Sequence, residues 1–175
     1  MNYILFDGAV RDNLLPFTFT RPVADIRLGI TTIREKWEYF LKQKTTTLTR
    51  DYLADKFPLQ TEAENILINA AVLPDKDLAR QVMNLGDGQA LMQGDVLIAR
   101  FVHAEDIQRM DDLKPEAVEV NREIRQLQHV WEIFSLNNKV LRTDFETLTT
   151  GRKSQPLSKT NFVQGDVSKI FVEEG

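Results

Sequence analysis

The sequence predicts an α/β fold built on a mixed, mostly parallel β-sheet. Residues 3–6 form a short and wholly apolar run, which is typical of a strand buried on both faces. An amphipathic helix is predicted over residues 29–44, and the β-branched threonines of residues 45–49 favour a second strand. These three segments predict a βαβ unit at the start of the chain.

The middle of the chain continues the alternation of strand and helix. Residues 65–69 repeat the apolar strand pattern, which Pro74 ends, and Asp75 is placed to cap the helix that follows. Two apolar runs then flank the turn residues Gln93-Gly94-Asp95, as expected for a β-hairpin. A parallel sheet extended by a hairpin is therefore predicted for residues 1–100.

The last third of the chain has weaker patterns. The charged residues 104–128 predict one or two helices around Pro115, residues 130–134 a strand, and the residues from Ser135 onwards a helix. Trp37 and Trp131 are expected in the core, and Asp144 and Glu146 on a solvated helix face. A polar linker after residue 150 divides the chain into a domain of residues 1–150 and a segment of residues 151–175.

Size and composition limit the classes of protein to consider. A chain of 175 residues with 42% apolar and 27% charged residues forms one domain that buries roughly 70% of its surface. No apolar run reaches the ~20 residues of a membrane span, so the expectation is a cytoplasmic protein without a membrane partner. The absence of cysteine rules out disulfides and thiolate zinc sites, and two distant histidines do not indicate a metal cluster.

The charge is distributed unevenly along the chain. The net charge of −4 argues against a nucleic acid polymer as partner. Residues 1–50 nevertheless carry 8 basic against 5 acidic side chains, and the remainder carries 14 against 21. The basic surplus lies beside the first strand and helix, where an anionic ligand would need it.

The loop after the first strand is the candidate site. It carries Arg11, Arg21 and Arg27 and leads into a helix, whose N-terminal amides and dipole favour negative charge. This arrangement predicts an electropositive site for a phosphate or a nucleotide. The alternatives are that the arginines are surface or salt-bridging residues and that Asp7 only caps a turn.

The first forty residues also carry a resemblance to a known family. They are similar to the start of bacterial sugar nucleotidyltransferases, in the branch of the bifunctional UDP-N-acetylglucosamine pyrophosphorylase and glucosamine-1-phosphate acetyltransferase. The resemblance covers nearly the whole chain, and its specific part is the N-terminal run. The segments that carry it are residues 3–8, 11–16, 21–23, 27–30 and 34–37, with weaker pieces at 65–69, 131–134, 144–145, 151–154 and 170–175.

This resemblance implies a nucleotidyltransferase-like, Rossmann-like three-layer fold and a phosphoryl-transfer reaction. A nucleoside triphosphate and a sugar 1-phosphate would form a sugar nucleotide and pyrophosphate, with Mg²⁺ as cofactor. By position, Arg11 matches the arginine of the family's glycine-rich loop and would bind the β- and γ-phosphates, and Arg21 would hold the α-phosphate or the sugar phosphate. Gly8 would let the backbone approach the nucleotide, and Asp7, Arg27 and Asn69 complete the nucleotide-binding set.

Two positions depart from the family pattern. Gly8 is a single glycine where the family has several, and the strand at residues 65–69 ends in Asn69 where the family binds Mg²⁺ through an aspartate. The metal ligand is therefore left open, with Asp7, Asp95 and Asp166 as candidates. A catalytically degenerate domain that binds a sugar nucleotide or organises a C-terminal acyltransferase is the alternative function.

The resemblance also implies a longer protein. In this family the first domain leads into a left-handed β-helix that carries acetyl transfer and forms trimers. Residues 170–175 resemble the entry to that helix, so the chain is expected to be a fragment without acetyltransferase activity.

Overall fold

The computed structural model describes residues 1–174, with every side chain except those at positions 110 and 111. Its centre is a six-stranded sheet in the order β2-β1-β3-β5-β4-β6. The strands β1, β2, β3, β4 and β6 run in one direction, and β5 runs antiparallel to its neighbours β3 and β4. The bounds of the strands are Asn2–Phe6 (β1), Thr46–Leu48 (β2), Glu64–Asn69 (β3), Gln89–Gln93 (β4), Val96–His103 (β5) and Glu116–Glu119 (β6).

Helices and short 3-10 segments cover both faces of this sheet. The α-helices are α1 (Ile33–Leu41), α2 (Asp51–Ala54), α3 (Lys76–Met83) and α4 (Glu132–Thr149). Residues from α1, α3 and α4 pack with Tyr3 and Leu5 in the larger core cluster. Ile4 and Phe6 face the other way and pack with Ile107 of a 3-10 helix over Ala104–Asp112. The predicted α/β class, with three layers and a mixed, mostly parallel sheet, is confirmed.

Helix α1 is shorter than the predicted range of residues 29–44. Its start is set by a capping box, in which Thr32 Oγ1 accepts a hydrogen bond from Glu35 N and the Glu35 carboxylate accepts one from Thr32 N. Its end is set by Lys42, which adopts the left-handed conformation with φ +57°. Trp37 is fully buried, as predicted, and its Nε1 donates to Val72 O at 2.9 Å.

Several predictions for the C-terminal third were wrong. Residues 116–119 form the edge strand β6, which pairs in parallel with β4; Val118 is half-buried, and Glu116, Ala117 and Glu119 are exposed. Residues 130–134 lead into α4 and form no strand, since a short apolar run fits a helix as well as a strand. Trp131 lies outside the core, with 65% of its surface exposed, and stacks on His129.

Helix α4 is attached to the domain through a buried carboxylate. Asp144, predicted on a solvated face, is buried; its Oδ2 accepts from Ile30 N at 2.8 Å and from Lys36 Nζ at 2.6 Å. The approach is close because Gly29 has no side chain: a Cβ there would lie 2.4 Å from Asp144 Oδ2. Gly29 also has φ +81°, which favours glycine. Glu146 is exposed, as predicted.

The segment after α4 folds back on itself. Gln155 N donates to Val172 O at 2.9 Å, and Arg152 pairs with Glu173 at 2.9 Å. Residues 170–174, which resemble the entry to a β-helix, form no strand, and Gly175 lies outside the described residues. Across the part of the chain that the structure describes, no helix has the length and apolar character needed to cross a bilayer.

Candidate functional site

A cleft of about 630 Å³ lies at the carboxyl ends of three parallel strands. Its walls are residues 6–10 after β1, residues 48–50 after β2, Asn69 at the end of β3, residues 95–97 of the hairpin, and Gln126. The chain runs from β1 to β2 on one side of β1 and then crosses to β3 on the other. Ligands in open α/β sheets bind at such a reversal, outside the carboxyl ends of the strands.

Gly8 lies on the floor of the cleft between β1 and β3. Its φ of −81° and ψ of −172° are open to any residue, so its conformation does not require glycine. A Cβ at this position would lie 3.6 Å from the Phe6 ring and 3.8 Å from Asn69 Oδ1, in ordinary contact. The absence of a side chain therefore keeps this part of the cleft open.

Asp7 joins three segments around the cleft. Its Oδ1 accepts from Val23 N at 2.8 Å, its Oδ2 accepts from Thr49 Oγ1 at 2.6 Å, and Arg11 Nε lies 3.5 Å from Oδ2. The side chain is only 3% exposed. Burial raises the pKa of Asp7, and the hydrogen bonds from Thr49 and Val23 counteract part of the shift. Asp7 thus ties the ends of β1 and β2 to the loop at Val23.

The raised pKa of Asp7 predicts how stability depends on pH. A carboxyl group whose pKa is higher in the folded state contributes stability below its unfolded pKa and loses it as the pH rises through the folded pKa. We therefore expect the free energy of unfolding of the wild type, minus that of Asp7→Asn, to fall over the range between the ordinary aspartate pKa of 3.8 and the raised pKa of Asp7. Urea titrations of both proteins across this range measure the difference, and a constant or rising difference would contradict the assignment.

The three arginines of the predicted site are not brought together in the cleft. Arg11 is buried in a 3-10 helix over Ala9–Leu14, where its Nη2 donates to Thr18 O at 2.6 Å and to Tyr52 Oη. Arg21 is exposed, and Arg27 is exposed and donates to Ile30 O. None of the three belongs to the cleft lining. Their roles toward phosphate stay predictions.

The side-chain amide of Asn69 connects two segments of the cleft wall through hydrogen bonds. Its Nδ2 donates to Leu97 O at 3.1 Å and its Oδ1 accepts from Ala71 N at 3.0 Å, so both ends of the amide are engaged. A carboxylate could accept from Ala71 but could not donate to Leu97. The amide of Asn69 therefore has a structural role, because it links the end of β3 to the start of β5.

The residues present do not fit a protein-built Mg²⁺ site. Asp7 already accepts hydrogen bonds from Val23 N and Thr49 Oγ1, and Asp166 caps a C-terminal 3-10 segment by accepting from Ser168 N. Asp95 is an exposed carboxylate on the cleft rim, and the other acidic residue of the described lining is Asp7. Among the described side chains, no three histidines, aspartates or glutamates are grouped so that they could hold a metal ion.

Several lining residues were not among the residues predicted for the site, and Arg50 and Gln126 are two of them. Arg50 lies two residues after the end of β2, as Gly8 does after β1, so the rule that sites form at carboxyl strand ends could have found it. Gln126 comes from the loop between β6 and α4 and is held by a bridge to Val72. It has no signal in the sequence, because this contact spans more than fifty residues.

A family model described as sugar nucleotidyl transferase matches residues 3–153. The search of curated proteins found no match. One similar solved chain is a Bacillus anthracis protein assigned as a glucose-1-phosphate thymidylyltransferase, in complex with a sucrose. It is 12% identical with a TM-score of 0.49, and the match covers 81% of this chain and 95% of that one. Since the family model spans most of the sequence, the chain belongs to the sugar nucleotidyl transferase family.

Proposed function

We propose that the cleft binds a nucleoside triphosphate and a sugar 1-phosphate and that the domain forms a sugar nucleotide and pyrophosphate. The observation that carries this proposal is the position of the cleft, at the carboxyl ends of β1, β2 and β3 where the strand order reverses. Its volume of about 630 Å³ suits a ligand of nucleotide size. Membership of the family supports the same substrate classes.

The main contribution of the protein to this reaction is to align the two substrates. An oxygen of the sugar 1-phosphate attacks the α-phosphorus of the triphosphate, a new P–O bond forms, and the bond to pyrophosphate breaks. Catalysis then comes from holding two anions in line and compensating their charge. In this proposal Asp7, Gly8 and Asn69 shape the wall against the nucleotide, and Arg11 and Arg21 remain the predicted catalytic pair. Because the residues do not fit Mg²⁺, we derive no step through a metal.

The finer proposal is that the product is UDP-N-acetylglucosamine. It is supported by the resemblance of residues 3–8 and 11–16 to the pyrophosphorylase branch. The same resemblance supports a trimeric full-length protein with a β-helix. A domain boundary near residue 150 is supported by the polar linker that follows it, and a cytoplasmic location belongs to the same proposal.

A second function is favoured by two specific contacts. Asn69 stands where the family has a metal-binding aspartate, and its amide is committed to Leu97 and Ala71. Arg11 is committed to Thr18 and to carboxylates of its own loop. A domain of this kind could bind a sugar nucleotide without turning it over, or organise a C-terminal acyltransferase.

Two measurements on one protein preparation separate the functions. Pyrophosphate release is followed with UTP and N-acetylglucosamine 1-phosphate, and with dTTP and glucose 1-phosphate, each with Mg²⁺. Binding of UDP-N-acetylglucosamine is followed by calorimetry. Turnover with either pair supports the enzyme, and binding without turnover supports the second function.

A variant that fills the cleft shows whether any activity belongs to this site. Gly8→Leu places a branched side chain against Asn69 in an allowed backbone conformation, so the variant is expected to fold and to lose binding and turnover. Gly86→Leu, at a turn outside the cleft, is the matched control and should behave as wild type. Equal activity of Gly8→Leu and wild type would contradict the proposed site.

A further inference from the structure

The charges of the residues that line the cleft point to Arg50, a residue that the resemblance to the family did not single out. Among the lining residues that the structure describes, Arg50 carries the positive charge, and Asp7 and Asp95 carry negative charges. Asp7 is compensated inside the protein by Arg11 and by two hydrogen bonds. Arg50 therefore provides the lining's positive charge for an anion entering at the end of β2.

Arg50 is held only loosely in its present position. Its side chain is 59% exposed, and its Nη2 lies 3.4 Å from Oδ2 of Asp12, which is itself 61% exposed. An exposed ion pair at this distance contributes little to stability and is screened by salt. The guanidinium can therefore leave Asp12 without disturbing the fold.

Arg11 has the opposite character. It is buried, it donates to Thr18 O at 2.6 Å, and its Nη1 donates to Asp12 Oδ1 at 3.1 Å. To reach a ligand it would have to abandon these partners and leave the Asp7 carboxylate without its neighbouring cation. The exposed cation of the cleft lining is therefore Arg50, two residues after the end of β2.

We propose that Arg50 is the phosphate-contacting residue of the cleft and that it exchanges the Asp12 carboxylate for a phosphate group of the nucleotide. This inference rests on the proposed function, since it assumes that a nucleotide occupies the cleft. Guanidinium and phosphate form paired, charge-assisted hydrogen bonds, whereas Asp12 now offers a single long contact. The exchange therefore favours the bound state.

A series of ligands that differ only in phosphate number tests this assignment. Dissociation constants of uridine, UMP, UDP and UTP, with the thymidine series in parallel, are measured by calorimetry in a buffer with a chelator. In Arg50→Gln we expect about ten- to a hundredfold weaker binding of the di- and triphosphates and unchanged binding of the nucleoside. Asp12→Asn, which removes the competing carboxylate, should bind the triphosphate more tightly than wild type.

Controls distinguish this contact from general charge and from loss of structure. Arg80→Gln removes an exposed arginine on α3, outside the cleft, and should bind all ligands as wild type does. Arg50→Gln should unfold at the wild-type urea concentration because its ion pair is exposed. If wild type binds and Arg50→Gln binds the triphosphate equally well, the assignment of Arg50 is overturned and the proposed function stands. If wild type binds no nucleotide of either series, neither with the chelator nor with Mg²⁺, both are overturned.

Discussion

Replacing Gly29 with alanine is expected to lower the free energy of unfolding by about 3–5 kcal/mol. The added Cβ would lie 2.4 Å from Asp144 Oδ2, 2.9 Å from Val140 Cγ1 and 3.2 Å from the backbone N of Leu141. The φ of +81° adds strain, since an L side chain rarely adopts it. Helix α4 must therefore move away from the loop that precedes α1.

The expected loss is large because of what Asp144 holds. Its carboxylate is buried and accepts hydrogen bonds from Lys36 Nζ and from Ile30 N. Separating a buried ion pair leaves each charge without compensation, which costs more than an ordinary lost contact. Desolvation already lowers the pKa of Lys36, so its ammonium depends on this partner.

Gly88→Ala is the matched control for backbone strain. Gly88 has φ +71°, but a Cβ there would meet nothing within 4 Å. We expect a loss of about 1 kcal/mol from the left-handed conformation alone. Urea unfolding of the two variants isolates the effect of the close approach. Equal losses would show that the contact between Gly29 and α4 does not stabilise the fold.

Local patterns predicted the strands and helix caps of the first hundred residues well. The centres of β1 and β3, residues 3–6 and 66–68, are apolar runs that indicate a strand without reference to distant residues, and Asp75 caps α3 by accepting from Leu78 N, a contact within one turn. The end of α1 was predicted three residues too late because a lysine in the sequence does not indicate a left-handed backbone conformation, which Lys42 adopts. These features depend on neighbours in the sequence.

Features that depend on distant partners were missed. The burial of Asp144 follows from Ile30 and Lys36, more than a hundred residues away, so the periodicity of α4 alone indicated a solvated carboxylate. The edge strand β6 exists because β4 has a free edge, and its own composition is too acidic to indicate a strand. In both cases contacts between residues that are far apart in the sequence determine the structure.

The residues of the candidate site also fall into those that the sequence pattern placed correctly and those that it did not. Asp7, Gly8 and Asn69 line the cleft because strand ends of a parallel sheet meet at one edge, a rule that the sequence pattern can use. The arginines were grouped because they share a loop, but side chains from one loop can point inwards, outwards or along the surface. Arg11 points inwards because Asp7 and Thr18 offer acceptors there.

Arg11→Leu is expected to destabilise the domain by about 3–5 kcal/mol, because it leaves the buried Asp7 carboxylate without its cation. It also removes the donor to Thr18 O. The double variant Asp7→Asn with Arg11→Leu should recover part of this loss, since no buried charge then remains. Arg21→Ala should change stability by less than about 0.5 kcal/mol, because Arg21 is exposed.

These variants also test whether Arg11 acts on phosphate directly. A structural arginine predicts that nucleotide affinity, measured well below the unfolding temperature of each variant, returns with stability in the double variant. An arginine that contacts phosphate predicts that affinity for the triphosphate stays low in the double variant while stability recovers, and that affinity for the nucleoside is normal. The contacts of Arg11 with Asp7, Asp12 and Thr18 favour the first result. The second would return Arg11 to the catalytic role that its position in the loop predicts.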